Sequence, residues 1–390
     1  MKIAVLGAGM YVTGRGGHGP GTILAALCEA SREIVIDEVI VAATLADNAP
    51  VVAEAANRLN ARLGSKLKVD YLQVSKDLDE SARAIAARGV DAAIICVPDH
   101  LHHPAITALM NAGVHILTVK PFTPTLDEAQ DLVALARRTG LYGAVEFHKR
   151  YDEGNLYARQ AIADGQIGQP LYAVIQYSQR IVIPTEVFRG WAARSNIFQY
   201  LAVHYVDQMW FLTGYRPYRA SAVGIRHVLA SRGIETWDSV HATVEWQTPA
   251  GGTFISQFNV NWIDPNTTTA MSDQKYFIVG SAGRLDLDQK HRGIELIRQD
   301  QMPVSVNPYF SEFFPRLDDD TQRFSGYGYQ SIRSFIMDIA AIRAGRVRPV
   351  DLERVRPSFS DALPSTSVID AVTRSLNEQG KWTYVSASGS

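Results

Sequence analysis

The chain has 390 residues, 46% hydrophobic and 20% charged, an ordinary globular composition with apolar material for two cores. Lysine and arginine number 38 against 40 acidic residues, a net charge of −2, so no basic excess points to nucleic acid or an anionic membrane. No apolar run approaches the roughly 20 residues of a membrane span, and Lys2-Ile3-Ala4-Val5-Leu6 is strand-like from the start, without a secretory pattern.

Cys28 and Cys96 sit in apolar contexts and read as buried thiols, which fits a reducing cytoplasm. No metal-ligating set is expected. The closing Ser386-Ala387-Ser388-Gly389-Ser390 is low-complexity and expected to be disordered.

Residues 1–146 alternate between two hydrophobic periods. Strands are expected at Ile3–Leu6, Glu38–Ala43, Leu67–Leu72, Ala92–Val97, Val114–Val119 and Tyr142–Glu146. Helices fall between them, at Thr22–Ala30, Pro50–Leu63, Leu78–Arg88, Pro104–Ala112 and Leu126–Thr139. Several strands are apolar throughout, as in a parallel sheet covered on both faces. This predicts an α/β doubly wound (Rossmann) domain.

The rhythm changes after Glu146. Helices are expected around Asn155–Asp164 and Phe198–Leu212. Strands follow at Leu171–Ser178, Ala220–His227, Ser239–Gln247, Gly252–Asn259, Lys275–Gly280 and Gly293–Arg298. Helices Ser331–Arg343 and Asp361–Asn377 close the chain. Strands without regular intervening helices predict an α+β domain over 147–385 with a large, mostly antiparallel open sheet. Its apolar strands are costly to expose, so a homodimer or homotetramer through that sheet is expected.

Gly7-Ala8-Gly9-Met10 follows the first strand. Val12 stands where a third glycine is usual, and the loop expands through Gly14-Arg15-Gly16-Gly17-His18-Gly19-Pro20-Gly21. Backbone N–H groups there can hold a pyrophosphate. Gly7, Gly9 and Met10 are therefore cofactor candidates. The second strand ends at Thr44, without the acid typical of NAD sites. Arg15 is within loop reach of a 2′-phosphate, so NAD and NADP both stay open, with NAD slightly favoured.

Thr118-Val119-Lys120-Pro121 ends the fifth strand. A lysine there projects toward the ligand crevice of such a sheet, and the proline stiffens its exit.

These segments together resemble the family of glucose–fructose oxidoreductase, inositol dehydrogenase and the rhizopine-catabolism protein (Gfo/Idh/MocA). The resemblance rests on Val97-Pro98-Asp99-His100-Leu101-His102, on Ala108–His115 and on Phe147-His148-Lys149-Arg150-Tyr151-Asp152. Ala161–Pro170 adds to it. Thr118-Val119-Lys120-Pro121 is similar to the family's Glu-Lys-Pro, with Val119 replacing the glutamate. The family's Asp-x-x-x-His reads Tyr200-Leu201-Ala202-Val203-His204 here, followed by Asp207. The spacing of four predicts Tyr200 and His204 on one helix face. Tyrosine for aspartate puts a neutral hydroxyl where an acid is usual.

The resemblance implies hydride transfer between a nicotinamide and a secondary alcohol or ketone of a sugar, sugar acid, glycoside or cyclitol. It implies His204 as general base, Lys120 as the group holding the reacting oxygen, and Tyr200 beside them. Pro98, His102 and Lys120 join Gly7, Gly9, Met10 and Thr44 as cofactor candidates. His102 is equally a cap for the helix that follows. Lys149, Arg150, Arg189, Trp191, His204 and Asp207 are the substrate candidates, and Arg180 and Arg194 extend the basic set. Asp207 either orients His204 or is a solvated charge. Tyr177 and Trp262 read as core before sugar faces, and Tyr327 and Tyr329 as a loop closing over substrate. Two other readings remain: the same fold recycling a held cofactor during glycoside cleavage or epimerisation, and a dinucleotide-binding sensor without turnover.

Overall fold

A computed structural model describes residues 1–14, 19 and 21–385. Arg15 to His18, Pro20 and the closing Ser386 to Ser390 lie outside the described residues, so the expectations for Arg15 and the tail fall outside them too.

The chain opens with β1 (Lys2–Leu6), a short α1 (Met10–Thr13), α2 (Ile23–Ala30), β2 (Glu38–Ala43), α3 (Asn48–Leu63) and β3 (Val69–Gln73). Next come α4 (Leu78–Ala86), β4 (Ala92–Ile95), α5 (His102–Asn111), β5 (His115–Val119), α6 (Leu126–Thr139) and β6 (Gly143–Glu146). It continues through α7 (Glu153–Ala163), β7 (Pro170–Arg180), α8 (Val203–Thr213), β8 (Arg216–Ile225), β9 (Ser239–Gln247) and β10 (Thr253–Asp264). Then follow β11 (Ser272–Gly280), β12 (Arg284–Asp288) and the hairpin of β13 (Ile294–Arg298) and β14 (Gln301–Val306). The chain closes with β15 (Glu312–Pro315), β16 (Gln322–Ser325), α9 (Tyr327–Arg343), α10 (Pro349–Leu352), α11 (Leu363–Asn377) and β17 (Thr383–Tyr384).

One compact unit comprises Met1–Thr123, Asp127–Tyr151 and Tyr309–Ala362. Its six parallel strands run β3-β2-β1-β4-β5-β6. The order reverses between β1 and β4, where open α/β sheets take their ligands. Leu6 pairs with Ala42 and Ile95, Ile95 with Thr118, and Val119 with Glu146, so the strands finish along one edge. Ile3, Val5, Leu27, Val39 and Ile94 are shielded from water on the inner layers.

The second domain expected over 147–385 is interrupted, because Tyr309–Ala362 packs with the first unit. There α9 covers β6: the rings of Tyr142 and Phe335 lie 5.7 Å apart, and the Tyr142 hydroxyl donates to Asp338 at 3.2 Å. Arg356 Nε holds the same carboxylate at 2.8 Å. Tyr327 and Tyr329 are not in a closing loop. Both lie in the first turn of α9 and are buried, Tyr327 against His148 and Tyr329 against Phe324.

The other unit comprises Pro124–Leu126, Asp152–Pro308 and the chain from Leu363 onward. Its seven strands run β12-β11-β7-β10-β9-β8-β17, with β7 and β10 parallel and the other neighbours antiparallel. Helices α8 and α11 belong to the apolar cluster on the sheet's inner face, with Trp246, Phe254, Phe258 and Trp262 at its centre. The two indoles are satisfied as they bury: Trp246 donates to Ser256 and Trp262 to Gln179, each at 2.7 Å. Trp262 and Tyr177 are therefore core. Among the described residues no helix is long and apolar enough to cross a membrane.

Candidate active site

In the first unit the glycine turn is fixed by lack of space. Gly7 has φ +115°, and a Cβ on it would stand 2.1 Å from the Cys96 carbonyl oxygen. Its N–H donates to Ala42 at 2.8 Å, which ties the turn to β2. Gly9, exposed, precedes α1, and among the described residues nothing lies within 4 Å of its would-be Cβ. That leaves backbone accessible to a phosphate, with half-buried Met10 beside it. The turn beyond β2 is held by the Tyr71 hydroxyl, 2.9 Å from Ala43 O and 2.6 Å from Leu45 O. Thr44 is exposed on that turn, and no carboxylate precedes Asp47, which is also exposed. These features fit a dinucleotide: a cramped turn, open backbone at Gly9, and a polar residue at the end of β2.

Pro98 opens the turn Asp99–Leu101 after β4. His102 is fully buried, with Nδ1 2.7 Å from Pro121 O and Nε2 3.0 Å from Val97 O. It braces the β5 exit against the β4 exit.

Lys120 leaves β5 through a cis peptide to Pro121. The residue is half-buried, but its ammonium is desolvated. Burial lowers its pKa from 10.5 to about 8, outweighing the opposing pull of Asp99, Glu146 and Cys96. The same burial, with Glu146 adding to it, pushes the Cys96 thiol up to about 12.

Glu146 and His148 were not singled out from sequence, yet they form a hydrogen-bonded pair at this edge. Glu146 is 2% exposed. Its Oε1 accepts from the Tyr11 hydroxyl at 3.3 Å, and His148 Nδ1 lies 2.9 Å from Oε2 and 3.1 Å from Oε1. The His148 ring packs 5.2 Å from Phe310 and 5.5 Å from Tyr327. Lys149 is buried. Arg150 pairs with Asp361 at 2.5 Å, so part of its fork is committed within the protein.

In the second unit, α8 carries His204, 3% exposed, and Asp207, fully buried with Oδ1 3.4 Å from Ser365 Oγ. Asp207 is thus no solvated charge. The expected single helix Phe198–Leu212 is divided. Phe198–Ala202 forms a wider turn, with the Val203 N–H reaching back to Phe198 O, before α8 proper begins. Four residues no longer make one turn there, so the expected alignment of Tyr200 with His204 does not follow from spacing. Such widened turns concentrate at functional sites. Tyr200 is half-buried in an aromatic group: its ring lies 5.1 Å from Phe188, 5.5 Å from Trp262 and 6.1 Å from Trp191.

The arginines do not act as one set. Arg180 binds the Thr268 hydroxyl at 3.2 Å and also the Thr268 carbonyl, whereas Arg189 and Arg194 are exposed.

Two family models match. Residues 1–147 fit "Oxidoreductase family, NAD-binding Rossmann fold", and 155–286 fit "GFO/IDH/MocA C-terminal domain". The chain belongs to the Gfo/Idh/MocA family. It is an NAD(P)-dependent oxidoreductase with the Rossmann and open-sheet architecture of that family. Among its relatives, the inositol 2-dehydrogenase of Rhizobium meliloti (strain 1021) is 26% identical over 75% of this chain and 81% of its own length. The 1,5-anhydro-D-fructose reductase of Ensifer adhaerens is 26% identical over 54% of this chain and 61% of its own, so under two thirds of that relative is spanned. The Lactobacillus casei scyllo-inositol dehydrogenase structure with NAD(H) and scyllo-inositol superposes at a TM-score of 0.66, at 17% identity, over 99% of both chains. At that identity the likeness is one of fold.

Proposed function

We propose that this Gfo/Idh/MocA protein oxidises a secondary alcohol of a sugar, sugar acid, glycoside or cyclitol, or reduces the matching ketone. The observation that carries the reading is Lys120, a desolvated ammonium at the ligand edge of the sheet. The names of the inositol and anhydrofructose relatives support the substrate class. The nicotinamide, when bound, exchanges a hydride with the carbinol carbon.

The chain's own groups handle the rest. Gly7, Gly9 and Met10 receive the pyrophosphate, and Thr44 the adenosine ribose. Lys120 donates a hydrogen bond to the reacting oxygen and stabilises charge on it. His204 takes the hydroxyl proton during oxidation and returns it during reduction. Tyr200, Asp207 and Trp191 shape the substrate side, together with Lys149, Arg150 and Arg189. Both cysteines are unpaired, which fits work in the cytoplasm.

A panel of inositols, aldoses, anhydrosugars and uronic acids, incubated with NAD or NADP, tests this by absorbance at the reduced-nicotinamide band. Signal with one substrate class, lost in a Lys120→Ala, His204→Ala double variant, is expected. Tight dinucleotide binding without net reduction refutes the dehydrogenase. Altered sugar product would then identify a cofactor-recycling enzyme, and unaltered sugar a sensor.

We also propose that a second copy covers the outer face of the large sheet. Leu171, Tyr172, Val223 and Ile225 are exposed on it. Light scattering that returns a monomer refutes this.

A further inference from the structure

The residue before Lys120 is Val119, where the Glu-Lys-Pro pattern has its acid. The sheet register shows where a carboxylate stands instead. Val119 is the direct cross-strand partner of Glu146, the last residue of β6. Register partners on neighbouring parallel strands project from the same face of the sheet. An acid absent from 119 and present at 146 therefore stays on the same face and at the same end, one strand across.

Glu146 has no obvious reason to be charged for packing. It is 2% exposed, and a buried carboxylate is costly unless paired. Its oxygens are engaged by the Tyr11 hydroxyl and His148 Nδ1. Tyr11 comes from α1, directly after the glycine turn, and His148 follows β6. The carboxylate is thus clamped between two elements at the ligand edge. Burial and Glu146 together hold the Tyr11 hydroxyl well above its usual pKa, so it remains a donor.

We propose that Glu146 is the positioning residue for Lys120, keeping its ammonium charged and oriented toward the reacting oxygen, while Tyr11 and His148 fix the carboxylate. The inference rests on Lys120 serving the reaction as proposed above. The charged or titratable groups facing Lys120 are Asp99 from the turn after β4, Cys96 at the end of β4, and Glu146. Asp99 remains when Glu146 is removed, so the loss is partial. Taking away a nearby negative charge lowers a lysine pKa, so the Lys120 midpoint falls further below 8.

The test is pH-dependent acetylation of Lys120 in the full-length protein, read by peptide mass spectrometry from pH 6 to pH 10. Wild type is expected to titrate near 8, and Glu146→Gln about one pH unit lower or more. The double variant Glu146→Gln, Val119→Glu returns the carboxylate to the neighbouring strand and is expected to restore the midpoint. Should Glu146→Gln fail to fold, Glu146→Asp is expected to show a smaller drop of the same sign. An unchanged midpoint in a folded Glu146 variant overturns the proposal, as does a folded double variant that stays low. Labelling needs no turnover, so an inactive protein refutes the dehydrogenase reading and still tests Glu146. Where turnover is found, the Glu146→Gln pH profile moves to lower pH and, for a one-unit shift, kcat at pH 7 falls about twofold, with sugar KM little changed.

Discussion

Replacing Lys120 with methionine should make the protein more stable and inactive at once. Burial depresses the Lys120 pKa from 10.5 to about 8. At about 1.4 kcal/mol per pH unit, holding that ammonium charged in the fold costs at most about 3.5 kcal/mol. The residue is half-buried, so the measured gain should lie below that ceiling. Methionine keeps the length and removes the charge.

The sign follows from proton binding. Between about 8 and 10.5 the unfolded chain holds a proton on this lysine that the folded chain has released, so wild-type stability rises with pH there. Lys120→Met is therefore expected to exceed wild type below pH 8, and the gap to close as pH rises toward 10.5. Guanidinium denaturation of both proteins at pH 7 and pH 10 measures it. A variant less stable than wild type at pH 7, or a gap equal at both pH values, refutes the argument that the lysine is held under strain for function.

Three further outcomes are expected. His204→Asn should lower turnover roughly 10²- to 10⁴-fold while the NADH dissociation constant, read by fluorescence titration, stays unchanged; retained turnover removes the base assignment. Both amide atoms of Gln208 are buried without a hydrogen-bond partner among the described residues. Gln208→Leu should therefore raise stability by about 1–3 kcal/mol in denaturant titrations, and a loss would mean that the amide is bonded to water. Thr44→Asp should weaken NADPH binding relative to NADH tenfold or more, because a carboxylate at the end of β2 repels a 2′-phosphate; equal effects on both cofactors place Thr44 away from the ribose.

The parallel sheet was legible because covered strands are apolar throughout and the glycine turn marks its start. Strands β2 and β9 and helix α6 fall where hydrophobic period and capping residues put them. What sequence could not carry was register and destination. Glu146 reads as one acid at a strand end until its pairing with Val119 is known. Gly326-Tyr327-Gly328-Tyr329 has the composition of a loop. Gly326, at φ +118°, instead admits the Phe310 carbonyl to 2.4 Å of where a Cβ would sit, and α9 starts immediately after it. Nothing in the order of residues says that the segment from Tyr309 rejoins the first sheet. The cue lies in side chains that meet only in space, with Asp338 between Tyr142 and Arg356. The widened turn before α8 also lacks a local signature, having neither glycine nor proline between Phe198 and Ala202.

The interleaving of the two units bears on how the chain is made. The nucleotide-binding unit needs its last segment, Tyr309–Ala362, to cover β6, and the other unit needs α11 and β17, which come later still. A ribosome therefore releases neither unit complete until nearly the whole chain has emerged. The early α/β strands must wait with Tyr142 uncovered, a period in which aggregation competes. A stop codon after the sixth strand would not yield a small, separable nucleotide-binding protein, because α9 would be missing from it.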